Sequence, residues 1–522
     1  MSTPPSHSEA RGSAHVARSA VLVALLFAAD KLLAVLRDAA IGRAFGASAE
    51  LDAYYAAFEL PDLLFTVVAG SALATALIPV LSALLARDDR EGAWRLVSAV
   101  VNLALLIVAA VSVVAAIFAP QVIRAVAPGF DPYRTALAVR LMRLVLLQTL
   151  LSSLSGIAMS VLQAHQHFLL PAAAPLAYTV GRIVGALWLA PHWGIFGLAW
   201  GGLLGTVGHI LIQVPGLIRY GVRWRPTLRH ADLGEVLRLM LPRALGLGAT
   251  YLNFVLPTFL GSRLAEGAIS AYEYGWRLMQ FPETIIGTAL GLTVFPTLAE
   301  RANAGDTAGL RRTAGWALRL VLALAVPAAA GLVLLGRPLT ALFFQRGAFD
   351  AAATERVYWG LQFFAVGLVS HAALEVVSRL FYARRDMWTP LWAALAGLAV
   401  NAGLGWVFLG PLAHGGIALA NGLGAGLQVV LLLAVAGARL GGIEGRALVT
   451  SLARTLVATG ALAAGVLAVR LALPTTGLPG TLLALIAGAA AYLLAAVAVR
   501  QEEITSLPRL LMARRREDIE TR

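Results

Sequence analysis

Apolar runs of about 20 residues, the length that crosses a hydrocarbon core of roughly 30 Å, recur along nearly the whole chain. Short polar or Gly/Pro-containing links separate them. The pattern predicts about fourteen spans, with cores beginning near Ala17, Leu60, Trp94, Thr135, Pro171, Gly194, Val236, Ser270, Thr313, Val357, Pro390, Gly416, Val449 and Thr481. No link is long enough to hold a folded extramembrane domain, so the activity is expected within the membrane, which argues against an enzyme. The expected fold is an all-α polytopic membrane protein.

The spans repeat. LPDLLFTVVAGSALATALIPVLSALLARDD (60–89) is answered by FPETIIGTALGLTVFPTLAERANAGD (281–306): each opens on Pro and an acid, meets a second Pro and ends in a charged link. Pro61 and Pro79 lie 18 residues apart and Pro282 and Pro296 lie 14 apart. The difference is about one helical turn, so the faces stay in phase. FAPQVIRAVAPGF (118–130) similarly answers GRPLTALFFQRGAF (336–349), and APHWGIFGLAWG (190–201) answers GPLAHGGIALANG (410–422). The period is about 220 residues and contains six helices, an even number, so the two repeats are expected to run parallel. Parallel repeats of this kind build transporters that hold their substrate near the midplane. The predicted organisation is a disordered cytoplasmic tail (1–16), an N-lobe (17–222), a C-lobe (223–440), two further helices (441–502) and a cytoplasmic tail (503–522).

Composition agrees with the pattern: 59% hydrophobic against 13% charged residues lies outside the range of soluble domains. Cysteine is absent, which excludes disulfides and thiolate metal sites, and neither a metal nor a cofactor is expected. A net charge of +13 could suggest nucleic acid, but the arginines follow topology instead. With both termini inside, the cytoplasmic links hold Arg87, Arg90 and Arg95, a run from Arg219 to Arg238, then Arg301, Arg311, Arg312, Arg384, Arg385, Arg439 and Arg446, followed by the ARRRED run of the tail. The opposite links hold about half as many, among them Arg43, Arg124 and Arg346, as the positive-inside rule requires. No nucleic-acid partner is expected.

Four charges, Asp30, Lys31, Arg37 and Asp38, fall within the first span, and Lys31 is the only lysine. An ionised side chain facing lipid at midplane costs about 2.5–3.5 kcal/mol, so these groups must avoid lipid. Asp30 and Arg37 are seven apart, as are Lys31 and Asp38, which places each pair along one helical stripe. They are then either self-neutralising pairs that support packing, or Lys31 and Arg37 line a wet cavity and bind an anion while Asp38 orients the arginine. Asp52, Glu59 and Asp62 in the second span are candidates for gating or cavity lining. Glu273 and Arg277, with Glu283, repeat the theme in YEYGWRLMQFPE, where pseudosymmetry would bring Arg277 to the cavity opposite Arg37. Guanidinium groups suit pyrophosphate oxygens. Glu375 and Arg379, four apart, read as an ion pair, with Glu375 also a cavity candidate. Arg182, Arg243, Arg319 and Arg454 are expected to snorkel, and His165 and His167 to point to opposite sides of a helix.

Three blocks, LRDAAIGRAFGASAELDAYYAAFELPDLL (36–64), WRLMQFPETIIGTALGLTVFPTL (276–298) and FYARRDMWTP (381–390), together resemble the MurJ/MviN family of lipid II flippases in the MOP exporter superfamily. The resemblance implies two six-helix lobes plus two helices forming a lipid-tail groove, and a bacterial inner-membrane location. It also implies transport of undecaprenyl-pyrophosphate-linked disaccharide-pentapeptide from inner to outer leaflet by alternating access. Its partners would be lipid II or a related polyprenyl-pyrophosphate glycolipid, membrane lipids and the cell-wall synthesis machinery. On this resemblance the substrate-binding residues are Lys31, Arg37, Asp38 and Arg277. Where the family commonly carries two arginines and an acid in helix 2, this chain has Phe65, Thr66 and Gly70. Where some members bind sodium through acids in helices 7 and 11, Pro257, Asn401 and Gly405 stand. The alternatives are a flippase for another polyprenyl-linked oligosaccharide and a MATE-like drug/cation antiporter.

Overall fold

A computed structural model describes residues 7–68, 70–442, 444–472 and 477–506. They form helices, with no strand among the described residues, and by contacts the chain divides into two units. Unit 1 comprises 1–267 and 346–349. Its helices are α1 (His7–Phe45), α2 (Ala49–Val68), α3 (Ser71–Ala86), α4 (Arg90–Ile117), α5 (Ala119–Val126), α6 (Pro132–Ala164), α7 (Leu169–Val184), α8 (Ala190–Trp193), α9 (Ile195–Arg219) and α10 (Leu233–Gly261). Unit 2 holds α11 (Ala268–Glu283), α12 (Ala289–Asn303), α13 (Thr307–Phe344), α14 (Ala351–Ala383), α15 (Trp388–Leu440), α16 (Gly445–Ala472) and α17 (Leu478–Ala498). A π-helical turn joins α7 to α8 (Gly185–Leu189) and another joins α11 to α12 (Thr284–Thr288).

Every expected core start but one lies in a described helix; Gly194 separates α8 from α9. Twelve helical segments among the described residues are long and apolar enough to cross a membrane. The charged α1 is not among them, and α15 counts once although it holds two helices joined at Ala413.

The repeat is written in the backbone. Aspartates cap α4, α6, α13 and α14: Asp89 accepts from the Gly92 amide at 2.8 Å, Asp131 from Arg134 at 2.9 Å, Asp306 from Gly309 at 2.7 Å and Asp350 from Ala353 at 2.7 Å. Each satisfies an amide that a helix start leaves without a partner. Positive φ recurs at the same period: Asp88 (56°) with Gly305 (69°), Gln166 (57°) with Arg385 (60°), Gly194 (55°) with Ala413 (51°), and Gly221 with Gly441, both 71°. These pairs are 217–220 positions apart, which fixes the repeat register residue by residue.

The contact boundary falls at Gly267, whereas the repeat suggests 222/223. The reason is α10, which packs on α3 and α2 in unit 1. Glu59 accepts a bond from Thr258 Oγ1 at 2.5 Å, Asp52 from the Gly267 amide at 2.7 Å, and Ser262 Oγ from the Gly129 amide at 3.1 Å. Residues 346–349 join unit 1 because the Ala348 amide bonds the Arg43 carbonyl at 2.9 Å. Gly46 (φ 60°) permits that approach, since a Cβ there would lie 2.4 Å from the Ala348 carbonyl oxygen.

The ends also differ from expectation. α1 already begins at His7, inside the stretch expected to be a structureless tail. Residues 502–506 form a short helical turn in which Glu503 and Ile504 are buried, where a free tail from 503 was expected. The ARRRED run lies outside the described residues.

Candidate functional site

In α1 the seven-residue pairing does not form. Arg37 instead reaches its neighbour: Nε and Nη2 both lie 2.8 Å from Asp38 Oδ1, and Asp38 is 7% exposed. The buried carboxylate fixes the guanidinium fork. Asp30 accepts from Thr179 Oγ1 of α7 at 3.1 Å. Lys31 is exposed, and among the described residues no hydrogen bond or ion pair involves it. One free ammonium and one oriented guanidinium, six residues apart, thus occupy α1, an arrangement suited to holding an anion with more than one oxyanion group.

The three α2 acids part ways. Glu59 fastens α10, and Asp52, 1% exposed, holds the Gly267 amide beyond its end. Asp62 faces a polar cavity of ≈ 490 Å³ within unit 1. In unit 2, Arg277 and Glu273 form an i,i+4 pair at 3.6 Å, with the arginine side chain 19% exposed. Glu375 pairs with Arg379, whose guanidinium lies against Gly291. Unit 2 also holds an apolar groove of ≈ 730 Å³, lined by Leu278, Phe281, Leu335, Leu462, Val466, Leu493 and their neighbours. At the groove, Tyr492 donates to the Ala323 carbonyl, Gln501 Nε2 donates to Thr455 Oγ1 at 2.7 Å, and Ile504 adds to the lining.

Two arginines expected to snorkel are engaged within the protein instead, Arg319 half-buried and Arg182 buried. Arg319 forks between Glu444 (2.6 Å) and Glu503 (2.8 Å), tying α13 to the segments that flank α16 and α17. Arg182, 9% exposed, lies over the rings of Tyr54 and Tyr178 at 5.6 and 5.8 Å and faces the same cavity as Asp62. Snorkelling fails because Arg182 sits mid-span and α7 is pressed onto α9. A Cβ on Gly181 would lie 2.4 Å from Gly205 Cα. His165 and His167 do not point apart as expected: Gln166 turns the chain between them, and both rings approach Tyr220, at 4.4 and 6.1 Å. Among the described residues no three His, Asp or Glu side chains converge as metal ligands would.

Outside the spans, Asp386 is the most perturbed acid. Bonds from the Thr389 hydroxyl and amide, followed by Arg439, pull its carboxyl down to about 2. Burial beside Arg219 pushes the His167 imidazole below its usual range.

The family described as Lipid II flippase MurJ matches residues 41–488. The lipid II flippase MurJ of Burkholderia cenocepacia is 33% identical over 413 residues, covering 77% of this chain and 80% of that relative. A probable lipid II flippase MurJ of Synechocystis is 29% identical over 428 residues, 79% of each chain. A solved lipid II flippase MurJ in an inward closed conformation has a TM-score of 0.78 at 22% identity, covering 92% of this chain and 99% of its own. An inward-facing MATE multidrug resistance transporter of the MOP superfamily has a TM-score of 0.65 at 16% identity, covering 78% and 94%. These two likenesses concern the fold.

Proposed function

The chain belongs to the lipid II flippase MurJ family, and from that membership we infer that it moves lipid II across the bacterial inner membrane. The observation that carries the inference is the family match over 41–488, which takes in most of both units. Lys31 and Arg37 bind the pyrophosphate, and Asp38 holds the Arg37 fork in place. Arg277, steadied by Glu273, supplies a further basic group. The apolar groove of unit 2 takes the polyprenyl chain, whose transfer from bilayer to groove changes little in free energy because both are hydrocarbon. The headgroup is the costly part: a charged pyrophosphate leaves water only if fixed cations replace its hydration. Both termini are cytoplasmic, and transport runs from inner to outer leaflet by alternating access. No covalent chemistry is assigned to the chain.

The deciding experiment is rescue of a bacterium depleted of its own lipid II flippase. Wild type should restore wall synthesis and Arg37→Ala should not, at equal membrane levels. Loss of one charge-assisted contact of about 1.5–3 kcal/mol corresponds to at least about a tenfold loss of cargo affinity. Full activity of both Arg37→Ala and Arg277→Ala would overturn the headgroup assignment. Failure of a well-inserted wild type would favour another polyprenyl-linked glycan. Phe65 and Thr66, in the wall of the unit 1 cavity, are the observation that keeps this second cargo in view.

A further inference from the structure

The polar cavity of unit 1 takes no part in pyrophosphate binding as proposed, yet it is built for a ligand. Its ≈ 490 Å³ lies within the size range of sites that take ligands of several hundred daltons. One wall presents the Asp62 carboxylate, which is exposed although α2 lies within a candidate span. Another presents Arg182, clamped over Tyr54 and Tyr178 and close enough that its charge acts on Asp62. Gln148 Nε2 donates to Tyr178 Oη at 3.3 Å. Ser155 Oγ meets His209 Nδ1 at 2.6 Å and accepts from Gln213 Nε2 at 2.8 Å. Ser152, Thr149 and Thr206 add hydroxyls, while Phe65, Tyr251 and Met159 add apolar surface.

This set is electrically balanced. A phosphate entering it would meet Asp62, and a metal cation would meet Arg182, so neither ion is favoured over water. A neutral ligand rich in hydroxyls and amides suits every wall. Hydroxyl groups can donate to the carboxylate and accept from the guanidinium, and the apolar face of a sugar ring can lie on an aromatic side chain. We propose that this cavity is the subsite for the neutral sugar part of the lipid-linked cargo, an N-acetylated disaccharide, with Asp62 and Arg182 as its polar clamp. The proposal rests on the flippase function inferred above and extends it from the pyrophosphate to the glycan.

The test uses the full chain in nanodiscs and N,N′-diacetylchitobiose, a soluble disaccharide without phosphate or lipid, titrated calorimetrically. Wild type should bind it. Asp62→Asn and Arg182→Gln should each weaken binding about tenfold or more. Ser152→Leu, which narrows the cavity without touching either charge, should do the same and serves if a charge variant fails to fold. In a transport arm, the variants should slow disaccharide-bearing undecaprenyl pyrophosphate while leaving the sugar-free lipid unaffected. No chitobiose binding by wild type, or equal slowing of both lipids, would overturn the subsite. So would unchanged sugar binding in Asp62→Asn accompanied by loss of a pH-dependent transport rate, which would make the cavity a proton site. Because the binding arm does not require transport, sugar binding by a chain that moves no lipid II would leave the subsite standing and remove only the flippase assignment.

Discussion

Arg37 and Asp38 show how far single residues could be read from the sequence. That four charges in one span must avoid lipid followed from their insertion cost alone, and the structure sets Asp38 in the interior. Their partners did not follow, because helical periodicity says which positions share a face but not how far a long guanidinium bends; Arg37 reaches its immediate neighbour. Arg182 was misjudged although a signal existed: an arginine follows a glycine in the middle of an apolar run, four residues after Tyr178. Asp386 carries a pH prediction. Its folded carboxyl, near 2, lies below the unfolded value of about 3.9, so its stabilising contribution is complete above the unfolded value and is lost as pH falls through the folded one. In detergent, wild type should therefore be more stable than Asp386→Asn by an amount that stays constant between pH 5 and 8. That difference should shrink below about pH 4, where the wild-type carboxyl begins to protonate in the unfolded chain.

At the scale of elements, existence and order were legible because most spans are long and apolar, and the separate cores from Pro390 and Gly416 placed a break inside α15; the residue that makes the break was not legible. α15 shows why: Ala413 sits at φ 51°, ψ −134°, the conformation that its repeat counterpart Gly194 adopts without a Cβ. The break is held by Trp359 Nε1 donating to the Leu412 carbonyl at 3.0 Å and by His414 Nε2 against the Arg356 carbonyl at 2.7 Å. An alanine at position 413 did not mark itself as the turning residue. Since such a backbone costs an alanine about 1–3 kcal/mol, Ala413→Gly should stabilise the protein, by about 1 kcal/mol after the extra freedom of glycine in the unfolded chain is counted. A lower unfolding temperature for Ala413→Gly would contradict that strain. The α7–α9 crossing predicts the opposite sign: Gly181→Ala puts a methyl 2.4 Å from Gly205 Cα and should destabilise by about 1–3 kcal/mol, read as a lower midpoint in the same assay.

For the whole molecule, the sequence disclosed a duplicated six-helix pattern, and the recurring caps and positive φ angles realise it. The contact boundary was illegible, because the bonds that Glu59 accepts from α10 and Asp52 accepts from Gly267 keep that stretch with unit 1, and periodicity contains no information on such pairing. Orientation in the membrane is open to direct measurement because the chain has no cysteine. With both termini cytoplasmic, Arg124→Cys should react with an impermeant maleimide in intact spheroplasts, and Arg384→Cys only after the membrane is opened. The reverse pattern would invert the topology.

The loop 346–349 bears on how the protein is made. Translation proceeds from the N-terminus, yet the segment that lies against Gly46 is not synthesised until 349 of 522 residues exist. Unit 1 therefore waits in the bilayer, one piece short, until about two-thirds of the chain has left the ribosome. Insertases and membrane proteases would meet it in that unfinished form, and a product terminated anywhere between 267 and 346 would carry the Arg43 carbonyl without its Ala348 partner as a mark for removal.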